Sequence, residues 1–194
     1  MLLNSFLNNV WLAIGLWAIF YLIDYVLTLK AARMYHAGVS KHFTFAGGYE
    51  LNPVFKEDIA RLRRFSFRFW LLLFFFGGFL LILHSLDVPE LFAFLWGTLV
   101  CTQMAIHLRH IRNLAIFHYA RDSNGMSGRI EYEHWLSLRL SSIELFSFSV
   151  LFLFLFLLWG NLFILGGAVG CLSLALRHLL DSTKERKTLL QGKA

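Results

Sequence analysis

The sequence is poor in charged residues, prolines and cysteines. Only 15% of its 194 residues are charged, whereas 58% are hydrophobic, and the mean hydropathy is +0.61. Because a soluble domain carries roughly 25% charged residues, this composition excludes an ordinary water-soluble fold. The two cysteines, Cys101 and Cys171, lie in apolar segments, so the sequence implies no disulfide framework.

Basic residues are absent from most of the chain. All 18 lysines and arginines fall within residues 30–68, 109–139 and 177–193, and long apolar segments separate these blocks. Membrane proteins concentrate their basic residues in cytoplasmic loops. Basic loops that face anionic lipid therefore account for the net charge of +6, and we expect no nucleic-acid partner.

Five segments are long and apolar enough to span a bilayer, which takes about 20 apolar residues. They are residues 10–29, 69–86, 91–108, 140–159 and 162–180. The sequence thus predicts an all-α, polytopic membrane helical bundle in one domain, residues 1–180, with a polar cytoplasmic tail, residues 181–194. The basic blocks place the N-terminus outside and the C-terminus in the cytoplasm. We expect the bundle in a bacterial cytoplasmic (inner) membrane.

Two helices are predicted to continue into the cytoplasm. Asn52 followed by Pro53 is typical of an N-cap with proline at the first helical position, which predicts a helix over residues 53–83. The third span has no helix breaker before Ser123, so we expect it to extend to Arg121. The short polar tail is expected to be weakly ordered.

A helix over residues 53–83 would carry a basic stripe. The stripe consists of three arginines spaced by three and four residues: Arg61, Arg64 and Arg68. These arginines, together with Asn52, are the candidate residues for binding an anionic substrate. Contact with lipid headgroups is the alternative explanation of the stripe.

Two carboxylates lie within the predicted spans, Asp24 in the first and Glu144 in the fourth. A carboxylate at membrane depth is costly, so it normally faces the protein interior or water. Together with Glu50, these two are the candidate catalytic residues. The alternative is that they form ion pairs that lock helices together, with Arg68, Arg109 or Arg139 as partners.

Two histidines could create a metal site. His107 and His110 are three residues apart on the third span and could point at one atom. Because carboxylate and imidazole ligands suit zinc, iron or manganese, the candidate ligands are His107, His110, Asp24 and Glu50, and the candidate cofactor is a divalent transition metal. The alternative places both histidines in the headgroup zone without a metal.

Three glycines in the fifth span form a face of small residues: Gly166, Gly167 and Gly170. Such faces allow helices to pack closely, within one chain or between subunits. A homo-oligomer built on this face is therefore one predicted partner, besides the lipid bilayer and a cytoplasmic protein that would bind the basic helices.

Two short motifs resemble a pattern in small bacterial and archaeal integral membrane proteins of uncharacterised function. The motifs are Asp24-x-x-x-Thr28 and Glu50-x-Asn52-Pro53, and the resemblance covers about a quarter of the chain. In those proteins the first motif ends a first span and the second opens the next one. The resemblance implies that Asp24, Thr28, Glu50 and Asn52 belong together.

The sequence leaves three functional hypotheses open. The first is a membrane protein with a polar, metal-binding site at the cytoplasmic leaflet that acts on a lipid or another membrane-resident substrate. The second is an oligomeric channel or transporter that uses Asp24 and Glu144. The third is a non-catalytic membrane subunit or anchor that presents basic helices to a cytoplasmic partner.

Overall fold

Long apolar helices dominate the fold. The computed structural model describes residues 2–46, 48, 50–121 and 128–191, and about 82% of these residues are helical. The helices are α1 (Leu2–Asn8), α2 (Val10–His36), α3 (Lys56–Ala60), α4 (Phe67–Ser85), α5 (Pro89–Arg121), α6 (His134–Trp159) and α7 (Leu162–Gln191), with a 3₁₀ turn at Val39–Lys41. The helices α2, α4, α5, α6 and α7 are long and apolar enough to span a membrane, which confirms a helical bundle with five candidate spans.

Local signals in the sequence set the ends of these helices. The side chain of Asn9 accepts hydrogen bonds from the backbone of the first turn of α2, and Ser66 does the same for α4. Pro89 is the first residue of α5, a position where its missing N–H has no helical partner to lose. Gly160 has a φ of 62° and ends α6, so that α7 begins two residues later at Leu162.

The spanning helices pack in a chain of neighbours. α2 packs against α5, α5 against α7 and α7 against α6. α4 packs against both α2 and α5. Trp17 and Trp96 are fully buried in the core, and the Trp96 indole donates a hydrogen bond to the Ala13 carbonyl at 2.9 Å. Outward-facing side chains are large and apolar, among them Phe74 and Leu157, as expected where lipid takes the place of water.

The three glycines of the predicted small-residue face pack against α5 of the same chain. A Cβ atom on Gly166 would collide with the Phe94 carbonyl, and one on Gly167 would collide with Cys101. Gly170 faces α5 in the same way. The close packing thus takes place within one chain, and an oligomer would have to use another surface.

The predicted helix over residues 53–83 is wrong, because the chain turns between α3 and α4. Asp58 is buried and accepts hydrogen bonds from the Ser66 hydroxyl at 2.5 Å and from the Arg63 guanidinium at 3.1 Å. Leu62 has a φ of 52°, which a helix does not allow. The buried carboxylate is satisfied only when the backbone folds around it, and this requirement breaks the helix.

The basic stripe disappears with that helix. Arg61 directly follows α3, Arg64 lies in the turn, and Arg68 lies in α4. Arg61 instead pairs with Glu57 at 2.9 Å, one helical turn earlier. Asn52 begins a turn rather than a helix, since its side chain accepts from the Val54 N–H at 3.0 Å.

The tail is more ordered than expected, because α7 continues to Gln191. Ser182 is buried and donates to the Trp135 carbonyl at 2.8 Å. One turn further, Glu185 lies 2.7 Å from the His134 imidazole. These contacts tie the end of α7 to the start of α6.

A two-stranded parallel sheet joins the two long connections at this end of the bundle. Strand β1 (Phe43–Phe45) pairs with β2 (Ile130–Tyr132), with Thr44 opposite Glu131. Its aromatic side chains stack, and Phe45 and Tyr132 lie 5.5 Å apart between ring centroids. The sequence predicts no strands, and each of these is only three residues long.

Candidate functional site

A cavity of about 680 Å³ lies at the basic end of the bundle. Side chains of α2, α5, α6 and α7 line it, and the sheet and the segment around Glu50 contribute to its wall. This volume falls within the roughly 300–1,000 Å³ that is typical of ligand sites. The cavity is therefore the candidate functional site.

The cavity lining is rich in ionisable groups. It includes four carboxylates, three guanidinium groups and two imidazoles: Asp24, Glu50, Glu144, Asp181, Arg109, Arg112, Arg177, His110 and His178. In an apolar bundle, such a concentration of charge is expensive unless the groups pair with one another or with a ligand. The contacts among these ionisable groups show which of them remain available to bind a ligand.

Asp24 and His110 form the centre of this group. His110 Nε2 lies 2.9 Å from Asp24 Oδ1 and 3.2 Å from the Thr28 hydroxyl. Asp24 Oδ1 and His110 Nε2 are close enough for a hydrogen bond or an ion pair. His110 Nδ1 has no hydrogen-bond partner in the described part of the chain, although the imidazole is buried. The histidine thus keeps one nitrogen that could bind a ligand.

Glu50 reaches the same cavity from the connection between α2 and α3. Its Oε1 accepts the Asn52 N–H at 2.7 Å, which fixes the carboxyl above the turn that begins at Asn52. Burial raises the pKa of the Glu50 carboxyl above its ordinary value of 4.5. The Asn52 N–H bond opposes this rise, the Asp24 carboxylate adds to it, and Arg109 and His110 oppose it.

The raised pKa of Glu50 predicts a pH dependence of stability. The folded state binds the Glu50 proton more tightly than the unfolded state, so this group's contribution to stability is full below pH 4.5 and falls as pH rises through the folded pKa. Glu50→Gln removes the titration. We expect its free energy of unfolding to increase relative to the native protein as pH rises from about 4.5. Unfolding in detergent at a series of pH values measures the difference, and a difference constant with pH would contradict the prediction.

Arg109 lines the same cavity and reaches across to α6. Its Nη1 donates a hydrogen bond to the Ser141 hydroxyl, and His178 Nδ1 lies 2.9 Å from the same hydroxyl. Ser141 and His178 are both buried. Arg109 has no salt bridge within the described ranges, so its charge is not neutralised by a directly bonded carboxylate.

The other two cavity arginines have acidic partners. Arg112 contacts Glu144 at 2.8 Å, and Arg177 lies 4.0 Å from Asp181. Glu144 therefore pairs with an arginine, as one alternative predicted, although the partner differs from the three arginines considered. Arg109 remains the cavity cation that is best placed to bind a ligand.

Apolar side chains form another part of the cavity wall. They come from α4, α5, α6 and α7: Phe69, Ile106, Leu140, Ile143 and Leu174. Leu140 and Ile143 are about half exposed, on the outward side of α6. The cavity thus joins a charged region to an apolar wall.

The predicted pairing of His107 with His110 is wrong. His107 Nε2 lies 2.9 Å from the Phe20 carbonyl, and the ring packs edge-on against Phe20, away from the cavity. No group of three or more histidine, cysteine or acidic side chains in the described part of the chain has the geometry to hold a metal ion. The residues present do not fit the proposed metal site.

The cavity brings together part of the predicted site. Five predicted residues line it, Asp24, Glu50, Asn52, His110 and Glu144, whereas His107 and the three arginines of the predicted stripe do not. Sequence reasoning missed the roles of Arg109, Ser141 and His178 in the cavity. Their positions could have suggested two of these residues. Arg109 directly precedes His110, and Ser141 lies one helical turn before Glu144.

No protein family matches the chain, and no curated protein or solved structure is significantly similar to it. The resemblance to small membrane proteins stays a prediction. Its four residues, Asp24, Thr28, Glu50 and Asn52, all line the cavity.

Proposed function

We propose that this protein binds an amphipathic, membrane-resident molecule in the cavity. The molecule is a phospholipid whose headgroup lies among the charged residues and whose acyl chain follows the apolar wall. Five long apolar helices indicate an integral membrane protein, and the basic blocks favour the cytoplasmic leaflet of the inner membrane as the place of binding.

The observation that carries this proposal is a set of buried polar atoms around the cavity. Three lining residues each have a polar atom with no hydrogen-bond partner in the described structure: Tyr21, His110 and Ser137. Each unsatisfied buried group costs roughly 1–3 kcal/mol. A bound headgroup, together with water, would satisfy them, while the adjoining apolar wall suits an acyl chain.

The free groups specify the headgroup chemistry. Arg109 can only donate hydrogen bonds, and it lacks a carboxylate partner in the described residues, so it favours a phosphate oxygen. The Asp24 carboxylate contacts His110 through Oδ1 and has further acceptor sites, so it favours an ammonium or hydroxyl group. A phospholipid headgroup with both kinds of group fits this pair.

The length of α5 supports a headgroup site at the membrane boundary. From Pro89 to Arg109 the helix rises about 30 Å, close to the thickness of the hydrocarbon core. With Pro89 at the outer boundary, Arg109 and His110 lie at the inner boundary. The charged part of the cavity then lies at headgroup level, and the apolar wall lies within the acyl region.

An ion pathway through Asp24 and Glu144 is less well supported. Asp24 lies beside His110, and Glu144 pairs with Arg112 at 2.8 Å. A cation that followed these two carboxylates would have to displace both pairs. A phospholipid can add to them without breaking either one.

A cavity-filling variant tests the proposal. Ile143→Trp places an indole at the apolar wall, and we expect native mass spectrometry of the detergent-purified variant to show loss of a phospholipid that the native protein retains. Val150→Trp is the matched control, since Val150 is similarly exposed two turns further along α6 and does not line the cavity. Retention of the phospholipid in both variants, or its absence from the folded native protein, would overturn the proposal.

A further inference from the structure

Three buried serines of α6 face α7, and one of them differs from the others. Ser142 donates to the Ala175 carbonyl and Ser149 to the Ala168 carbonyl, each at 2.8 Å, and these bonds hold the two helices together. The Ser141 hydroxyl contacts two side chains, those of Arg109 and His178, instead of a backbone carbonyl. Ser141 also lines the cavity, whereas Ser142 and Ser149 do not.

The partners of Ser141 are a base and a cation. His178 Nδ1 lies 2.9 Å from the Ser141 hydroxyl, within reach for proton transfer. Because the Arg109 guanidinium can only donate, Ser141 Oγ accepts from it, and its own proton is free to point to His178 Nδ1. A hydroxyl within hydrogen-bond reach of an adjacent base is the arrangement that activates a serine nucleophile.

The place of Ser141 in the cavity suits an ester bond. The neighbouring residue Leu140 and the facing residue Leu174 belong to the apolar wall, while Arg109 belongs to the charged region. In a glycerophospholipid, the ester linkages lie between the headgroup and the acyl chains. A lipid bound as proposed would therefore bring an ester carbonyl to the level of Ser141.

We infer that Ser141 and His178 form a nucleophile and base that hydrolyse an acyl ester of the bound lipid. The inference rests on the proposed function, because the substrate occupies the same cavity. Ser141 Oγ attacks the ester carbonyl carbon, and its proton passes to His178 Nδ1. The carbonyl oxygen takes up the negative charge, which faces the remaining N–H groups of Arg109.

The remaining steps return the site to its starting state. The bond between the carbonyl carbon and the alcohol oxygen breaks, and the alcohol leaves with the proton from His178. Water then attacks the acyl-serine carbonyl and gives a proton to His178, which returns it to Ser141 Oγ as the fatty acid leaves. The sum is one ester and one water converted to one acid and one alcohol.

Asp181 does not complete a triad. It lies three residues after His178 and lines the cavity, but its contact is with Arg177 at 4.0 Å. No carboxylate in the described chain bonds to the His178 imidazole, so the arrangement is a dyad.

Active-site labelling tests the dyad independently of lipid binding. The full-length protein in detergent is treated with an alkyl fluorophosphonate, and the modified serine is identified by peptide mass spectrometry. We expect an adduct on Ser141 that is lost in Ser141→Ala and kept in Ser142→Ala, the adjacent control. His178→Gln should slow labelling by about 100-fold or more, since general base catalysis contributes roughly 10²–10⁴-fold.

Folding and lipid retention are measured on each variant, so that a failure of the dyad is separate from a failure of the proposed function. A folded native protein that retains phospholipid but forms no Ser141 adduct would overturn the dyad and leave the binding proposal intact. Labelling of Ser141 at the same rate in folded His178→Gln would also overturn it. An adduct dependent on both residues, with release of fatty acid from an ester lipid, would support it.

Discussion

Arg109→Gln should weaken the binding of a phospholipid by roughly 30-fold or more. Arg109 is the cavity arginine that has no salt bridge in the described chain, and a phosphate would be its charged partner. Loss of one partner from a buried, hydrogen-bonded charge pair costs about 2–5 kcal/mol, and 2 kcal/mol corresponds to about 30-fold in affinity. Glutamine keeps a hydrogen-bond donor but removes the charge.

Titration of the delipidated protein with a phospholipid, followed by native mass spectrometry, gives the affinities. Arg129→Gln is the matched control, because Arg129 is exposed, lies outside the cavity lining and pairs with Glu131 at 2.9 Å. A neutral diacylglycerol should be affected much less than the phospholipid by the loss of Arg109. Equal affinities of Arg109→Gln and Arg129→Gln for the phospholipid would show that the phosphate does not bind Arg109.

Gly166→Ala should destabilise the bundle strongly, by about 3 kcal/mol or more. The added methyl group would collide with the backbone at Phe94 and Thr98 in α5, so α5 and α7 would have to separate. Overpacking a well-packed core typically costs about 1–3 kcal/mol, and more where the obstacle is backbone that cannot rotate away. Both helices also carry cavity residues, so the separation would disturb the ligand site.

Unfolding in detergent, by heat or by increasing amounts of a denaturing detergent, measures this loss. The control is Gly78→Ala in α4, where an added methyl group meets no atom within 4 Å. Alanine favours a helix over glycine by about 0.5–1 kcal/mol, so the control should be as stable as the native protein or slightly more stable. Equal stability of the two variants would contradict the close packing of α5 on α7.

The five apolar helices could be predicted because their signal is local. An apolar segment of about 20 residues satisfies its own backbone only as a helix in lipid, so composition alone indicates the structure. Gly160 and Pro89 likewise act through their own backbone geometry, and α6 and α5 end and begin there. These features require no knowledge of distant contacts.

The break after α3 could not be predicted in this way. Residues 53–83 contain no proline or glycine between Val54 and Phe76 that would stop a helix. The helix ends because Asp58 is buried and binds Ser66 and Arg63. Whether a carboxylate will be buried depends on how α3 packs against α2, which the sequence does not state locally.

The candidate site likewise contains residues that could be predicted from the sequence and residues that could not. Asp24 and Glu144 could be found as carboxylates within apolar segments, since such residues face the interior. Helical spacing alone could not show that His107 and His110 have different partners. Those partners, Phe20 for His107 and Asp24 for His110, both lie on α2, and only the packing of the helices determines which histidine contacts which residue. Ser141 and His178 are 37 residues apart on two helices, and only their packing brings them together.

The most direct test of the central claim is to map where a phospholipid contacts the protein. A phospholipid with a photoreactive group near the ester is cross-linked to the protein in bilayer nanodiscs, and the modified residues are identified by mass spectrometry. Our account predicts cross-links in the cavity segments 106–113 and 137–144, which Ile143→Trp suppresses and Val150→Trp does not. Cross-links spread over the outward-facing residues of α4 and α6, such as Phe74 and Leu157, with none in the cavity segments, would contradict it.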